Sequence, residues 1–260
     1  MSCGAVVTVD TVLHADLIDC PDNGLVIGAD SVRIDLNGHR ISGDNSLNEQ
    51  CGDDDVCDVG MVNTAGHRHV VIENGSVTDF AVGVLVVGAG ENQLRHLRVS
   101  QGLFSGLIIV DANQTRIQHS TVKANGLTTD QAGIGVFGSR GTRIEHNVVS
   151  SNGDIGLFAV EGTDSSRIRH NVFADNPETG MILEGSDNRV DKNHFVRNAD
   201  GMAVAGDRNV IEGNHVTDTF RCGDECGNAI SIEGGTNNLV TGNLIKRTFL
   251  GITLNASPVC

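Results

Sequence analysis

The stretch Gly133-Ile134-Gly135-Val136-Phe137, continued by Arg143-Ile144-Glu145-His146-Asn147-Val148-Val149 and closed by Gly156-Leu157-Phe158-Ala159, contains one full repeat of this chain. A glycine opens it, apolar residues alternate after the glycine, an apolar residue precedes Asn by three positions, and a third apolar residue follows. The opening returns at Gly60, Gly83, Gly106, Gly156, Gly180, Gly201, Ala229 and Gly251, with Gly24-Leu25 starting an imperfect earlier copy. Asn recurs with it, at Asn147, Asn171, Asn193, Asn214 and Asn243. Each unit thus offers three short apolar stretches of period two separated by Gly, Asn, Asp and Ser, too short for helices and too regular for loops. Three strands per unit make a triangular coil. Stacked coils place equivalent residues about 4.8 Å apart, so aliphatics pile up inside and asparagines ladder along a corner. One unit cannot bury its own face. The expectation is therefore an all-β chain forming a single parallel β-helix domain over residues 1–260, of about ten coils. Residues 1–23 would cap its N-terminal end and 44–59 would form a disulfide-closed loop insertion.

Composition narrows the partners. The chain has 260 residues with 18 Lys and Arg against 33 Asp and Glu, a net charge of −15. Phosphate backbones and anionic lipid surfaces repel such a chain, so neither nucleic acid nor membrane is expected. No apolar run reaches the roughly 18 residues of a spanning helix. Trp and Tyr are absent and Gly numbers 33, which removes the usual stacking platforms for ligands. The cysteines fall into local pairs, Cys3 with Cys20, Cys51 with Cys57 and Cys222 with Cys226, leaving Cys260. None has the C-x2-C spacing of a zinc site, so disulfides are the better reading. They imply an oxidising compartment, with the protein secreted or periplasmic after removal of a signal.

The repeat Gly133-Ile134-Gly135-Val136 through Ile144-Glu145-His146-Asn147 resembles the right-handed, single-stranded parallel β-helix repeat of the pectate-lyase-like superfamily, over roughly residues 24–255. The opening, Cys3-Gly4 to Cys20 followed by Gly24-Leu25-Val26-Ile27-Gly28 and Ile34-Asp35-Leu36-Asn37-Gly38-His39, is similar to the start of secreted NosD-like proteins. The resemblance implies a right-handed solenoid and, since most relatives act on saccharides, a carbohydrate substrate. Fold alone does not choose among pectate lyases, polygalacturonases, alginate lyases, epimerases and tailspikes. Their motifs do not transfer. The Asp-Pro-His core of mannuronan epimerases is missing, and Asn63-Thr64-Ala65, Gly38-His39-Arg40 and Gly66-His67-Arg68 each depart from the polygalacturonase pattern. Asp53-Asp54 lies between Cys51 and Cys57 and reads as a solvated turn.

What remains is the outward face of the first strand in each coil. Alternation after the leading glycine points Leu85, Val87, Ile108, Val110, Phe137, Phe158, Val160 and Ile182 outward, where a solvated sheet would carry polar residues. A loop, a second copy of the chain or a ligand would cover them. Beyond this face a column otherwise glycine-rich holds Asp111 and Glu161, about 10 Å apart across two coils, with Glu184 nearby. Carboxylates beside apolar walls suit general acid and base chemistry, so Asp111, Glu161 and Glu184 form the candidate catalytic set. Turn carboxylates accepting backbone hydrogen bonds are the plainer alternative. His96, His119, His146 and His170 occupy one position in four successive coils. Parallel imidazoles at strand spacing do not converge as metal ligands must, so no metal or other cofactor is expected. Arg116, Arg143, Arg167 and Arg189 form another column on the same face as Glu145, Asp191 and Glu212. It reads as a compensating charge lattice or an anion stripe.

Three functions follow: a lyase or isomerase acting on a saccharide in a first-sheet groove, a cyclase or isomerase of a small apolar biosynthetic intermediate, or a non-catalytic scaffold whose apolar face docks a partner or a second copy.

Overall fold

The computed structural model describes residues 1–47, 56–88, 90–126, 131–160, 162–220 and 227–254. Among them there are 29 strands and no helix, and every strand pairing is parallel. The first strands of successive coils form one sheet of eleven, from Ala5–Val7 to Leu250–Leu254. The second and third strands stack into two further walls, so the chain is a parallel β-helix of about ten coils, as the repeat requires. Strands Val71–Thr78 and Gln93–Ser100 run through both walls without a break. The segment before Gly24 supplies the first coil itself, with Ala5 opposite Leu25, and Cys3 is disulfide-bonded to Cys20.

Register explains the core. Leu107, Ile134, Leu157, Met181, Met202 and Ile230 lie opposite one another in turn, and all are fully buried. Phe173 and Phe195 stack with ring centroids 4.9 Å apart. The leading glycines are explained by crowding rather than by dihedral freedom. At Gly106 an added Cβ would lie 2.6 Å from Val122 Cγ1 and 2.7 Å from the carbonyl oxygen of Gly133. The first sheet approaches the corner too closely there for any side chain.

The corner between the second and third walls carries the expected asparagine ladder. Each Nδ2 donates to the Oδ1 one coil on, from Asn147 to Asn171 (3.0 Å), Asn193 (2.9 Å), Asn214 (3.0 Å) and Asn243 (3.0 Å). A second ladder runs after the third wall, through Asn125, Asn152, Asn176 and Asn198. Both satisfy main-chain groups that the turns remove from the sheet. The histidine column sits beside the first ladder. His96, His119, His146 and His170 have φ between 51° and 60°, and Gly213 and Gly242 take the equivalent place in later coils. Histidine is among the side chains enriched in this left-handed region, which explains its choice, and the rings stack at 5.2, 5.0 and 4.9 Å.

Candidate functional site

The first sheet presents the outward residues expected of it. Leu85, Ile108, Gly135, Phe158, Ile182 and Ala203 are in register, and Val87, Val110 and Phe137 form the neighbouring column. Leu85, Val87, Ile108, Val110, Phe137, Phe158, Val160 and Ile182 are all partly exposed, each shielded by its neighbours one coil away. Phe137 and Phe158 meet edge to face at 6.1 Å. Glu184 follows Leu183, which pairs with Ala159, and its amide donates to the Ala159 carbonyl. It is therefore outward and exposed in the column of Phe137 and Val160.

Asp111 stands one position beyond the sheet, at φ 49°, between Gly88 at φ 65° and Gly138 at φ 59°. Short polar side chains tolerate this backbone. Its carboxylate leans over Gly138, where an added Cβ would collide with Asp111 Oδ1. Asp111 and Glu184 are three coils apart, about 14 Å between backbones. Glu161 falls outside the described residues, as do Cys51, Cys222 and Cys226. Cys57 is described and is disulfide-bonded.

The second wall carries a different constellation. Arg116, Arg143, Arg167 and Arg189 lie opposite one another in turn, and Gln118, Glu145, Arg169, Asp191 and Glu212 form the parallel column two residues on. Arg169 Nε donates to Glu145 Oε1 at 2.8 Å, and Gln118 Nε2 donates to Oε2 at 2.9 Å. Burial pushes the Glu145 carboxyl up, but the Gln118 hydrogen bond and the Arg169 charge prevail and hold it below its ordinary value. Arg167 and Arg189 both face Asp191 Oδ1, at 3.4 and 3.2 Å, and Arg189 also pairs with Glu212. On the same wall opens a cavity of about 480 Å³ lined by Gln114, Gly141, Arg143, Glu145, Ser165, Arg167 and Arg169. A second cavity, of about 590 Å³, lies at the turns beside Glu184 and is lined by the ion-paired Arg140, Asp164, Asp187 and Arg208. Sequence reading marked the arginine column but missed Gln114, Ser165 and Arg169. Two of these sit in turns whose reach is set by the stacking, and Arg169 was legible only from its register against Glu145.

Among the described residues no group of three or more His, Cys, Asp or Glu is placed to hold a metal ion. The histidine row is the nearest approach. Its rings are parallel within 9° and about 5 Å apart, so their nitrogens run side by side, whereas imidazole ligands converge on a metal at about 2 Å.

Comparison with solved structures finds the same fold in proteins of distant sequence. The alginate lyase of Paenibacillus sp. str. FPU-7 matches with a TM-score of 0.60 at 14% identity, over 91% of this chain and 92% of that one. ORF18 of Geobacillus virus E2 gives 0.59 at 15% identity, over 98% of this chain and 51% of that one. The A-module of the mannuronan C-5 epimerase of Azotobacter vinelandii gives 0.51 at 13%, over 98% and 90%. No curated protein matches the sequence. The family described as "Periplasmic copper-binding protein (NosD)" matches residues 24–214 and 158–258. The described side chains do not fit the copper of that description, because the imidazoles that would suit it stack instead of converging. With matches running over most of its length, the chain belongs to the NosD family.

Proposed function

We propose that the protein is an extracytoplasmic, carbohydrate-directed β-helix. A saccharide lies along the outer face of the first sheet, and Asp111, Glu161 and Glu184 perform acid–base chemistry of the lyase or isomerase type. The observation that carries this reading is the partly exposed apolar ladder with carboxylates at its edge. Phe137 and Phe158 offer an edge and a face to the C–H surface of a sugar ring, and the Asp111 carboxylate leans over Gly138 beside them. The alginate lyase and the epimerase that share the fold lend support. The Cys3–Cys20 disulfide and the periplasmic description of the family agree with an oxidising compartment.

The backbones of Asp111 and Glu184 are about 14 Å apart, and this reading gives Glu161 the central role in the set. The test is turnover of a panel of neutral and acidic oligosaccharides, read as a new unsaturated product for a lyase or as an altered epimer ratio for an isomerase. Glu161→Gln should abolish turnover with an unchanged melting temperature. Full activity in that variant would remove the acid–base set. A second occupant of the same face, a small apolar molecule, is favoured by the absence of Trp and Tyr. Thermal stabilisation by apolar metabolites but by no saccharide would select it.

A further inference from the structure

The arginine-lined cavity of the second wall takes no part in the chemistry above, and nothing in the fold demands it. The chain is strongly acidic, yet this face aligns four arginines at strand spacing. Arg167 and Arg189 share Asp191, and Arg169 has Glu145. Arg116 and Arg143 have no carboxylate within 4.0 Å among the described residues. Arg167 Nε is shut off from solvent and makes no hydrogen bond, and the same holds for the Asp191 Oδ1 it faces.

The lining selects among anions. Three guanidiniums, of Arg143, Arg167 and Arg169, surround a space that the neutral Gln114 and Ser165 also line, and the buried Glu145, whose two oxygens already accept from Arg169 and Gln118, completes the lining. Inorganic phosphate fills only a fraction of a space of about 480 Å³. A neutral sugar supplies no anion to the three guanidiniums. A ligand that carries both a carboxylate and hydroxyl groups uses the guanidiniums and the neutral groups together. Its carboxylate accepts a two-pronged hydrogen bond from Arg143, and its hydroxyls exchange hydrogen bonds with Gln114 or Ser165. The cavity lies in the size range of small-molecule sites, and Arg116 continues the row about 4.8 Å along the axis.

We infer that the cavity between Arg143, Arg167 and Arg169 binds an acidic sugar unit of an oligosaccharide running along the solenoid axis, with its carboxylate on Arg143. The inference rests on the saccharide reading and adds to it a second contact for an acidic saccharide, on the second wall rather than on the first-sheet face.

The experiment is calorimetric titration of the full chain with uronic-acid hexasaccharides, their neutral counterparts and inorganic phosphate, repeated with Arg143→Gln and with Arg247→Gln. Arg247 is paired with Asp218 on another face and controls for the change in net charge. The acidic hexasaccharide should bind the wild-type protein. Arg143→Gln should weaken it about 10- to 100-fold, the loss expected for one hydrogen bond to a charged group. Arg247→Gln should change it less than about twofold, and circular dichroism should report both variants folded. Acidic binding that Arg143→Gln leaves intact overturns the cavity and spares the saccharide reading. Preference for phosphate, or equal binding of the neutral hexasaccharide, overturns the acidic-sugar assignment. Failure of every saccharide overturns the inference together with the reading beneath it.

Discussion

Removing one rung from the middle of the first asparagine ladder should cost far more than removing the last rung. Asn171 is 1% exposed, and its side chain makes four hydrogen bonds. Oδ1 accepts from the Asn147 amide at 2.9 Å and from Asn147 Nδ2 at 3.0 Å, while Nδ2 donates to the Ile144 carbonyl at 2.7 Å and to Asn193 Oδ1 at 2.9 Å. In Asn171→Ala, Asn147 Nδ2 keeps the Ile117 carbonyl and Asn193 Oδ1 keeps the Asn171 amide. The buried Asn147 amide keeps nothing. Three of the four bonds contribute about 1 kcal/mol net each and the stranded buried amide costs about 1–3 kcal/mol, so the expected loss is about 4–6 kcal/mol. Asn243 makes three comparable bonds but is half-buried in the last described coil, where water can replace it, so Asn243→Ala should cost about 1 kcal/mol. With no Trp or Tyr in the chain, urea unfolding is best followed by far-ultraviolet circular dichroism. The two midpoints are comparable only if the slope with denaturant is unchanged. Equal losses in the two variants, at constant slope, would refute the assignment of the ladder to stability.

The same stacking makes three further outcomes checkable. Gly156→Ala should destabilise by about 1–3 kcal/mol in thermal or urea unfolding, because its Cβ would be driven into the Gly180 carbonyl. Gly251→Ala, with no atom of the described residues within 4 Å of the added Cβ, should be neutral. Cys3→Ser should cost about 3 kcal/mol, the loop-closure value for a 17-residue separation, and unchanged stability would show that the first coil holds without its bridge. Burial first, and then the neighbouring imidazoles, hold His146 and His194 below the ordinary value of 6.5. The folded state thus binds these protons less readily than the unfolded chain. Stability should be full above pH 6.5 and fall as the pH drops below it, and a His146→Asn variant should lose less between pH 7 and pH 5.5. A flat wild-type profile over that range would contradict this.

How far the sequence could be read depends on which side of the wall a residue occupies. Inside, each column has one environment repeated along the axis, so Leu107, Ile134, Leu157 and Met181 had to be large and apolar, and the leading glycines had to lack a side chain. That regularity made the fold and the first asparagine ladder legible. The second ladder was missed because Asn125, Asn152, Asn176 and Asn198 sit in turns of uneven length, where the spacing to the next glycine drifts. Outside, the fold makes no such demand, and most of what stands there has a local reason. Asp111 fills a left-handed backbone position that glycine fills in the coils beside it, and the histidines do likewise at their corner. The arginine column has no such reason. Arg116, Arg143, Arg167 and Arg189 sit on ordinary strand positions with ordinary dihedrals, where like charges directly opposite one another are destabilising. Their repulsion is relieved by direct ion pairs at Asp191 and Glu212, and at Arg143 only by the charge of Glu145 at longer range. A feature that the fold neither requires nor fully compensates is the one whose explanation must be sought in a ligand.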